Sequence, residues 1–257
     1  MKFLPKFLLP NERIADTKQL FIVGCWVFAL LAFWSLADLG VLPGPAETAT
    51  AFGQQWQRGA GIQMWTSLMV SLESIAWATV MGLFLTYLST IPMFKAPVAL
   101  IGQLRFLSLT GLVVIFLKYA DGGHALKVSV LTFAILTFFV NTMAQVVADI
   151  PKKNFDHART MGLNRFQVLR EVVVRGTLAQ AFDSIRMNAA MAWMMLTAVE
   201  GLSRSEGGIG VLLLNLNRMQ QYDAIFGIQA MILLVGLGQD AFIKYLKILV
   251  CPYAKKA

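Results

Sequence analysis

Six apolar stretches divide this chain, and they constrain its fold more than any other feature. About 20 apolar residues cross the hydrocarbon layer of a membrane, and a segment in lipid must satisfy its own backbone hydrogen bonds, as a helix does. Hydrophobic residues make up 57% of the 257 residues and charged residues only 14%. The sequence therefore predicts an all-α polytopic membrane protein. Its predicted transmembrane helices are residues 20–37, 64–88, 106–117, 128–147, 187–199 with extensions at both ends, and 224–243.

The stretch at 106–117 is the weakest of the six. An apolar run of this length is equally typical of a re-entrant or buried helix, and extending it back to Ala96 would bring Arg105 into the membrane. Lys and Arg favour the cytoplasmic side of short loops. Six crossings place most of the 22 Lys and Arg residues in cytoplasmic segments, whereas five would put the most basic loop outside. We therefore predict six transmembrane helices with both termini in the cytoplasm.

This topology divides the chain into regions. The net charge of +8 is explained by the orientation and by anionic lipid at the inner leaflet, so we expect no nucleic-acid partner. The predicted regions are a cytoplasmic N-terminal segment (1–19), a first transmembrane helix (20–37), a core transmembrane domain (64–243) that contains a basic cytoplasmic loop (149–186), and a cytoplasmic tail (244–257). Residues 149–186 are called the basic loop below.

The basic loop has a predictable local structure. Asn154 is suited to cap a short helix whose first turn carries Asp156, and Gly162 is suited to the left-handed conformation that ends a helix. Asn164 is suited to cap a second helix, with Gln167 three residues later completing a capping box. The apolar face of this second helix is predicted to consist of Phe166, Leu169 and Val173. An alternative is a single amphipathic helix that lies on the membrane surface.

The spacing within the basic loop resembles a family motif. Permease subunits of ATP-binding-cassette (ABC) importers carry E-A-A, three residues, Gly, nine residues and I-x-L-P. Here Asp156-His157-Ala158, Gly162 and Val172-Val173-Val174-Arg175 keep that spacing. The chain therefore resembles that family. Segments that resemble its nitrate/sulfonate/taurine branch are Leu42-Pro43-Gly44-Pro45, Asn141-Thr142, Glu200 and Gly207-Gly208-Ile209-Gly210.

Several departures mark the chain as a divergent member of that branch. Asp156 replaces Glu, His157 replaces the second motif residue, and Arg175 replaces the closing Pro. The Pro-rich turn of the branch is replaced by Arg105-Phe106-Leu107-Ser108. The spacing that shapes the loop is kept, so these differences bear on the substrate more than on the architecture.

The resemblance implies the type I ABC importer permease fold in a bacterial inner membrane. It also implies partners: a second permease subunit, identical or different, two cytoplasmic ATPase subunits that bind ATP and Mg, and an external protein that delivers a small anionic solute. This chain is then expected to hold no cofactor and to catalyse no reaction, and it contains no G-x-x-x-x-G-K-[ST] phosphate-binding loop. The residues implied to couple it to the ATPase are Asn154, Phe155, Asp156, His157, Ala158, Arg159, Met161, Gly162 and Asn164.

Two acidic residues in or near the predicted helices form a second group of candidates. Glu73 lies well inside the second predicted helix, where an acid is costly and indicates a transport pathway or a buried partner such as Arg105 or Arg186. Glu200 lies near the outer end of the fifth predicted helix. It is a candidate pathway or buried polar residue, and its position also suits contact with the binding protein or a solvated charge.

Three amides complete that group. Asn141 and Gln145 lie one turn apart in the fourth predicted helix, and Asn188 begins the fifth. Such side chains either line a pathway or form hydrogen bonds between helices.

Other function classes remain open at this stage. An ion-coupled secondary transporter or channel would give Glu73 a coupling role, and a membrane enzyme would need a catalytic constellation. His124 and His157, the two histidines, fall in loops on opposite sides of a predicted helix, which argues against a multi-histidine metal site. Co-purification of an ATPase with the chain would favour the importer, whereas transport by the lone chain would favour the ion-coupled alternative.

Overall fold

The computed structural model describes residues 16–36, 43–203 and 207–252, without the side chains of residues 16–18 and 20. Predictions for the remaining residues, including most of the N-terminal segment, Leu42 and the end of the tail, lie outside this part of the chain. The described residues form helices joined by turns and by short π or 3-10 segments. The α-helices are α1 (Asp16–Leu36), α2 (Pro45–Gln55), α3 (Gly61–Leu88), α4 (Pro92–Gln103), α5 (Leu109–Leu117), α6 (Gly123–Ala148), α7 (Lys152–Thr160), α8 (Arg165–Val168), α9 (Leu178–Leu202), α10 (Ile209–Arg218) and α11 (Tyr222–Val250).

Three helical stretches in the described part of the chain are long and apolar enough to cross a membrane: Pro45–Leu88, Gly123–Ala148 and Tyr222–Val250. A fourth crossing is reached if Pro92–Phe106 and Leu109–Leu117 are counted together as one broken span. The apolar part of α1 is shorter, and α9 carries charged side chains near both ends. The all-α membrane architecture is confirmed. Six crossings and cytoplasmic termini stay predictions.

The second predicted helix begins much earlier than residue 64. Pro45 occupies the first helical turn, where its missing N–H loses no hydrogen bond, and the Gly44 amide donates to the Glu47 carboxylate over 2.9 Å. A π turn over Trp56–Ala60, with Gly59 at a φ of 91°, then joins α2 to α3. Polar residues around this turn interrupt the apolar pattern, so the sequence hides the continuity of the two helices.

The third predicted helix is broken rather than straight. A 3-10 turn at Leu104–Phe106 and an extended Leu107 separate α4 from α5, and the two halves meet at 107°. Arg105 was expected in a cytoplasmic segment before the third predicted helix, whereas the structure has it between the two halves of the bent pair. It lies at the break, because the apolar helix α4 precedes it and packs through Gly102 against Asn141 of α6.

Helix α6 lies at the centre of the bundle and packs against α3, α4, α5 and α9. The core is formed where small and branched side chains interdigitate at these contacts. Ala78, Leu131, Ala192 and Leu196 are completely buried there. A close approach joins Gly82 of α3 to the ring of Phe139 on α6, where a β-carbon has no room.

A buried polar cluster ties α9 to its neighbours at the end of the bundle opposite the basic loop. The Ser67 hydroxyl of α3 donates to Oε1 of Glu200 over 2.7 Å, and the Gly210 amide donates to Oε2 over 2.8 Å. The same Ser67 oxygen accepts the Ile209 amide at 2.9 Å. The first turn of α10 is therefore held by side chains of α3 and α9.

Lys127 of α6 and Gln63 of α3 complete this group, which we call the Glu200 cluster. The Lys127 ammonium donates to the Gly207 carbonyl over 2.7 Å, and the Gly208 amide donates to Gln63 over 2.6 Å. Lys127 is 1% exposed and Glu200 is 0% exposed. Glu200 is therefore a buried polar residue, as one of the predictions from the sequence had it, and neither a solvated charge nor a surface contact for another protein. It is buried near the positive charge of Lys127.

The glycines of residues 207–210 make this arrangement possible. Gly207 and Gly208 have φ values of 70° and 114°, which residues with a β-carbon adopt only at a cost. At Gly210 an added β-carbon would meet the backbone oxygen of Thr197. The short spacing of glycines thus lets the turn approach Glu200 closely.

The end of the bundle near the basic loop is held by ion pairs between α9 and α11. Arg186 forms a two-pronged pair with Asp240, with N–O distances of 2.8 and 2.6 Å. Lys247 lies 2.7 Å from the Asp183 carboxylate. Both pairs are partly exposed in the isolated chain. Helix α9 is thus bound to α11 near its start, and to α3 and α10 through Glu200 near its end.

The close contact between α11 and α2 yields a stability prediction. A β-carbon at Gly227 would lie 2.8 Å from the backbone nitrogen of Phe52, whereas Gly238 on the same helix has no atom within 4 Å. Gly227→Ala should destabilise the fold by about 1–3 kcal/mol through overpacking. Gly238→Ala is the matched control. Thermal unfolding of both variants in detergent would test this, and equal melting temperatures would contradict the packing.

The Glu200 cluster yields a second stability prediction. Glu200→Gln should lower stability by about 3 kcal/mol, because it leaves the buried Lys127 without its nearby opposite charge. Lys127→Met added to Glu200→Gln should cost less than the sum of the two single changes. Glu73→Gln, at a half-exposed carboxylate, serves as the control and should cost about 1 kcal/mol or less. Additive losses in thermal unfolding would show that the two charges are independent.

Candidate functional site

The first helix of the basic loop, α7, begins earlier than the sequence suggested. Its N-cap position is Pro151, whose φ of −61° and ψ of 136° suit the residue that precedes a helix. Asn154 was expected to be the cap, and that prediction is wrong: its amide donates to the Pro151 carbonyl over 3.0 Å within the first turn. Asp156 consequently lies in the second turn, not the first.

The end of α7 matches the sequence prediction. Gly162 has a φ of 78°, in the left-handed region. Its amide donates to the Arg159 carbonyl over 2.9 Å, and the Leu163 amide donates to the Ala158 carbonyl over 3.3 Å. This pair of hydrogen bonds is the Schellman arrangement, which satisfies carbonyls that the helix end would leave free. The predicted stop at Gly162 is confirmed.

The second helix also starts as predicted. The Arg165 amide donates to the Asn164 side chain over 2.6 Å, and the Asn164 amide donates to Oε1 of Gln167 over 2.8 Å. The side chains of Asn164 and Gln167 therefore form the predicted capping box at the start of α8. Gly162 and Asn164 are only two residues apart, so both ends of the connection between the helices are fixed, one by backbone hydrogen bonds and the other by side chains that bond to backbone amides.

The face of the second helix differs from the prediction. Phe166 is 81% exposed, whereas Val168 and Val173 are buried. The reason is a π turn over Leu169–Val174, in which the Arg175 amide donates to the Arg170 carbonyl five residues back. A π turn accommodates one extra residue, so the inward positions are five apart instead of following the α-helical spacing.

Most of the predicted coupling residues lie on the surface of α7 and the turn after it. Ala158 is buried and Phe155 is half-buried, on the side of α7 that packs against α8 and the π turn. The exposed members of the predicted set are Asn154, Asp156, His157, Arg159, Met161, Gly162 and Asn164. On this surface Nη1 of Arg159 lies 3.8 Å from Oδ1 of Asp156. The result is a polar helix whose outer face is free to contact another protein.

Glu73 is paired, although with neither of the arginines considered from the sequence. Its Oε2 lies 2.9 Å from Nε2 of His124, and both side chains are about half exposed. His124 is in the first turn of α6 rather than in a loop, which places Glu73 near the end of the bundle that holds the Glu200 cluster. Arg186 is instead bound to Asp240. The predicted pairing of Glu73 with Arg105 or Arg186 is therefore wrong, and its depth in the membrane stays a prediction.

The three amides are dispersed. Asn188 is buried in the middle of α9, and its side chain donates to the Ser184 carbonyl of the same helix over 2.7 Å. Asn141 is half-buried against Gly102, and Gln145 is exposed. The structure does not bring these residues together into one site.

The sequence missed the partners of Glu200 and the charged residues that join α9 to α11. Lys127, Asp183 and Asp240 each lie in a helix, where a charge is costly unless it is paired. That cost was the available signal. Which charged residues pair with each other depends on how the helices pack, and the sequence alone does not reveal that packing.

Known proteins share this architecture and sequence. The fold is similar to a chain of the MetNI methionine ABC transporter in inward-facing conformations, with a TM-score of 0.60, 16% identity, and coverage of 72% of this chain and 91% of that one. The putative aliphatic sulfonates transport permease protein SsuC of Escherichia coli is 24% identical over 233 residues, 86% of this chain and 83% of that protein.

A shorter match is to a putative ABC transporter permease protein of Methanocaldococcus jannaschii, 26% identical over 114 residues, or 44% of this chain and 42% of that protein. The family model that describes the binding-protein-dependent transport system inner membrane component matches residues 20–247. Members of this family are non-catalytic membrane subunits, and ATP hydrolysis belongs to their partner chains. The chain belongs to this family and is an inner-membrane permease subunit of an ABC importer.

Proposed function

We propose that this chain forms part of the pathway for a small anionic solute and is driven by a separate ATPase that binds the basic loop. The observation that carries this proposal is the geometry of α7. Its outer face is polar and exposed, whereas Ala158 anchors its inner face, and Gly162 and Asn164 fix the turn that follows. A helix held so firmly yet left uncovered suits docking into a groove of another protein.

The route from this helix into the membrane is short. The basic loop continues through α8, the π turn and a three-residue turn at 175–177 into α9. Helix α9 is bound to α11 by the Arg186–Asp240 and Asp183–Lys247 pairs. At its other end it is bound to α3, α6 and α10 by the Glu200 cluster. A displacement of α7 by an ATPase would therefore move a packed group of helices as a body, as alternating access requires.

The proposed solute class is supported by the named relative. The E. coli protein is described as a permease for aliphatic sulfonates, and it matches most of this chain. A second permease subunit, two ATPase subunits and an external solute-binding protein complete the proposed assembly, with ATP and Mg on the ATPase. Uptake that requires ATP and a binding protein would distinguish this assembly from an ion-coupled transporter working alone.

The turn at Gly162 gives the functional test. Gly162→Val should allow membrane insertion and assembly but uncouple ATP hydrolysis from transport, because a β-branched residue holds a left-handed φ only at a cost of about 1–2 kcal/mol. Gly162→Asn should keep more coupling, since Asn tolerates that conformation better. The measurement is ATPase activity and ATP-driven uptake of radiolabelled taurine, a small sulfonate, in proteoliposomes that contain the complete importer.

The two variants separate a conformational effect from a simple loss of glycine. A Gly162→Val importer with full transport would contradict the proposal, as would equal loss in Gly162→Val and Gly162→Asn. An importer from which no ATPase co-purifies would contradict the docking role of the basic loop itself.

A further inference from the structure

The break between α4 and α5 places a basic residue at the middle of the bundle. A cavity of about 180 Å³ opens beside Arg105, between the break and the centre of α6. Its α6 wall consists of Phe133, Ala134, Thr137 and Phe138, which lie about midway between the two ends of that 26-residue helix. Because α6 is long enough to cross a membrane, this cavity lies near the membrane midplane.

Arg105 is the charged member of the cavity lining, and the rest of that lining contains no carboxylate. Within the described part of the chain its guanidinium forms no ion pair. The guanidinium carbon lies 5.0 Å from the centre of the Phe106 ring. An arginine at this depth is costly in lipid, and such residues face a water-filled cavity or a partner. The charged side chains of α9, Asp183, Arg186 and Glu200, each bind a side chain of another helix, and Arg105 differs from them in this respect.

The cavity has the size and lining of a site for a small organic anion. A cavity of about 150 Å³ is large enough to hold benzene, so a short-chain sulfonate fits this one. Its walls are mostly apolar, with Leu104, Leu107 and Met195 beside Arg105, and the Thr137 hydroxyl is the other polar side chain. A guanidinium pairs well with the oxygens of an oxyanion, and apolar walls suit the attached alkyl group.

We propose that Arg105 is a contact for the transported anion at the membrane midplane, where it binds the oxyanion group while the apolar cavity walls hold the alkyl chain. This inference rests on the proposed function, because it names where that function's solute is bound. The helix break serves the site directly. The chain bends by 107° there, and both halves pack against α6, so the cavity lies between the bend and the middle of α6.

The charge at this site can be measured without knowing the natural solute. Leu107 lines the cavity and is 51% exposed, so Leu107→Cys introduces a reporter thiol there. The test uses the complete importer in proteoliposomes, with Cys25 and Cys251 replaced by Ala. Two thiol reagents of similar size are compared: a methanethiosulfonate that carries a sulfonate group and one that carries a trimethylammonium group.

With Arg105 present, the anionic reagent should react preferentially at residue 107. Arg105→Gln should lower the ratio of anionic to cationic labelling rates by about tenfold, the effect expected of one nearby charge in a partly hydrated site. Arg105→Lys should keep most of the preference. Millimolar ethanesulfonate should slow labelling when Arg105 is present and not when Gln replaces it. Tyr119→Cys, at an exposed position beyond the far end of α5, is the control, and its labelling ratio should not change with residue 105.

A labelling ratio that does not change with residue 105 would overturn the inference, and so would a thiol at residue 107 that neither reagent reaches. ATPase co-purification and ATP-driven uptake by the same preparation report on the proposed function separately. A coupled importer with charge-independent labelling at residue 107 would refute the Arg105 site alone. Loss of the ATPase would refute the importer assembly regardless of the labelling.

Discussion

The rest of the structure depends on how charge holds α9 at both of its ends. Near the basic loop, Asp183 and Arg186 bind side chains of α11. At the opposite end, the Glu200 carboxylate accepts hydrogen bonds from Ser67 and Gly210. Apolar packing in lipid is not directional and lacks the driving force that it has in water. These polar contacts therefore set the rotation and height of the helix, which van der Waals packing alone specifies weakly.

The two polar ends differ in burial, and this difference has a physical meaning. Glu200 and Lys127 are almost completely removed from solvent, so separating them exposes uncompensated charge to the protein interior. The Asp183 and Asp240 carboxylates are partly exposed in the isolated chain. The end of α9 at the Glu200 cluster is therefore held more firmly. The ion pairs at the end near the basic loop are partly exposed, so water can replace them at lower cost.

Local features of the basic loop could be predicted from sequence because they depend on a few neighbouring residues. Gly162 takes the left-handed conformation and Asn164 forms its capping box with Gln167, as their residue types indicated. Asn154 was misassigned because several residues there suit a cap, and Pro151, which precedes them, took that position. The π turn at Leu169–Val174 has no comparable signature, so the inward face was assigned incorrectly.

Contacts between distant segments could not be predicted in the same way. The apolar pattern identified the membrane class and located the long helices α3, α6 and α11. It did not reveal that Glu200 would meet Ser67, or that Glu73 would meet His124, because each pairing depends on how neighbouring helices align. The break at Arg105 was hidden for a related reason: a run of apolar residues looks the same in a straight helix and in a bent pair.

The π turn before α9 has a consequence for the whole bundle. Successive residues of an α-helix are rotated by about 100° around its axis. The extra residue in Leu169–Val174, together with the turn at residues 175–177, therefore sets the rotation at which α9 begins. Asp183, Arg186 and Glu200 all follow in α9, so this irregular connection determines whether three separate charges point toward their partners.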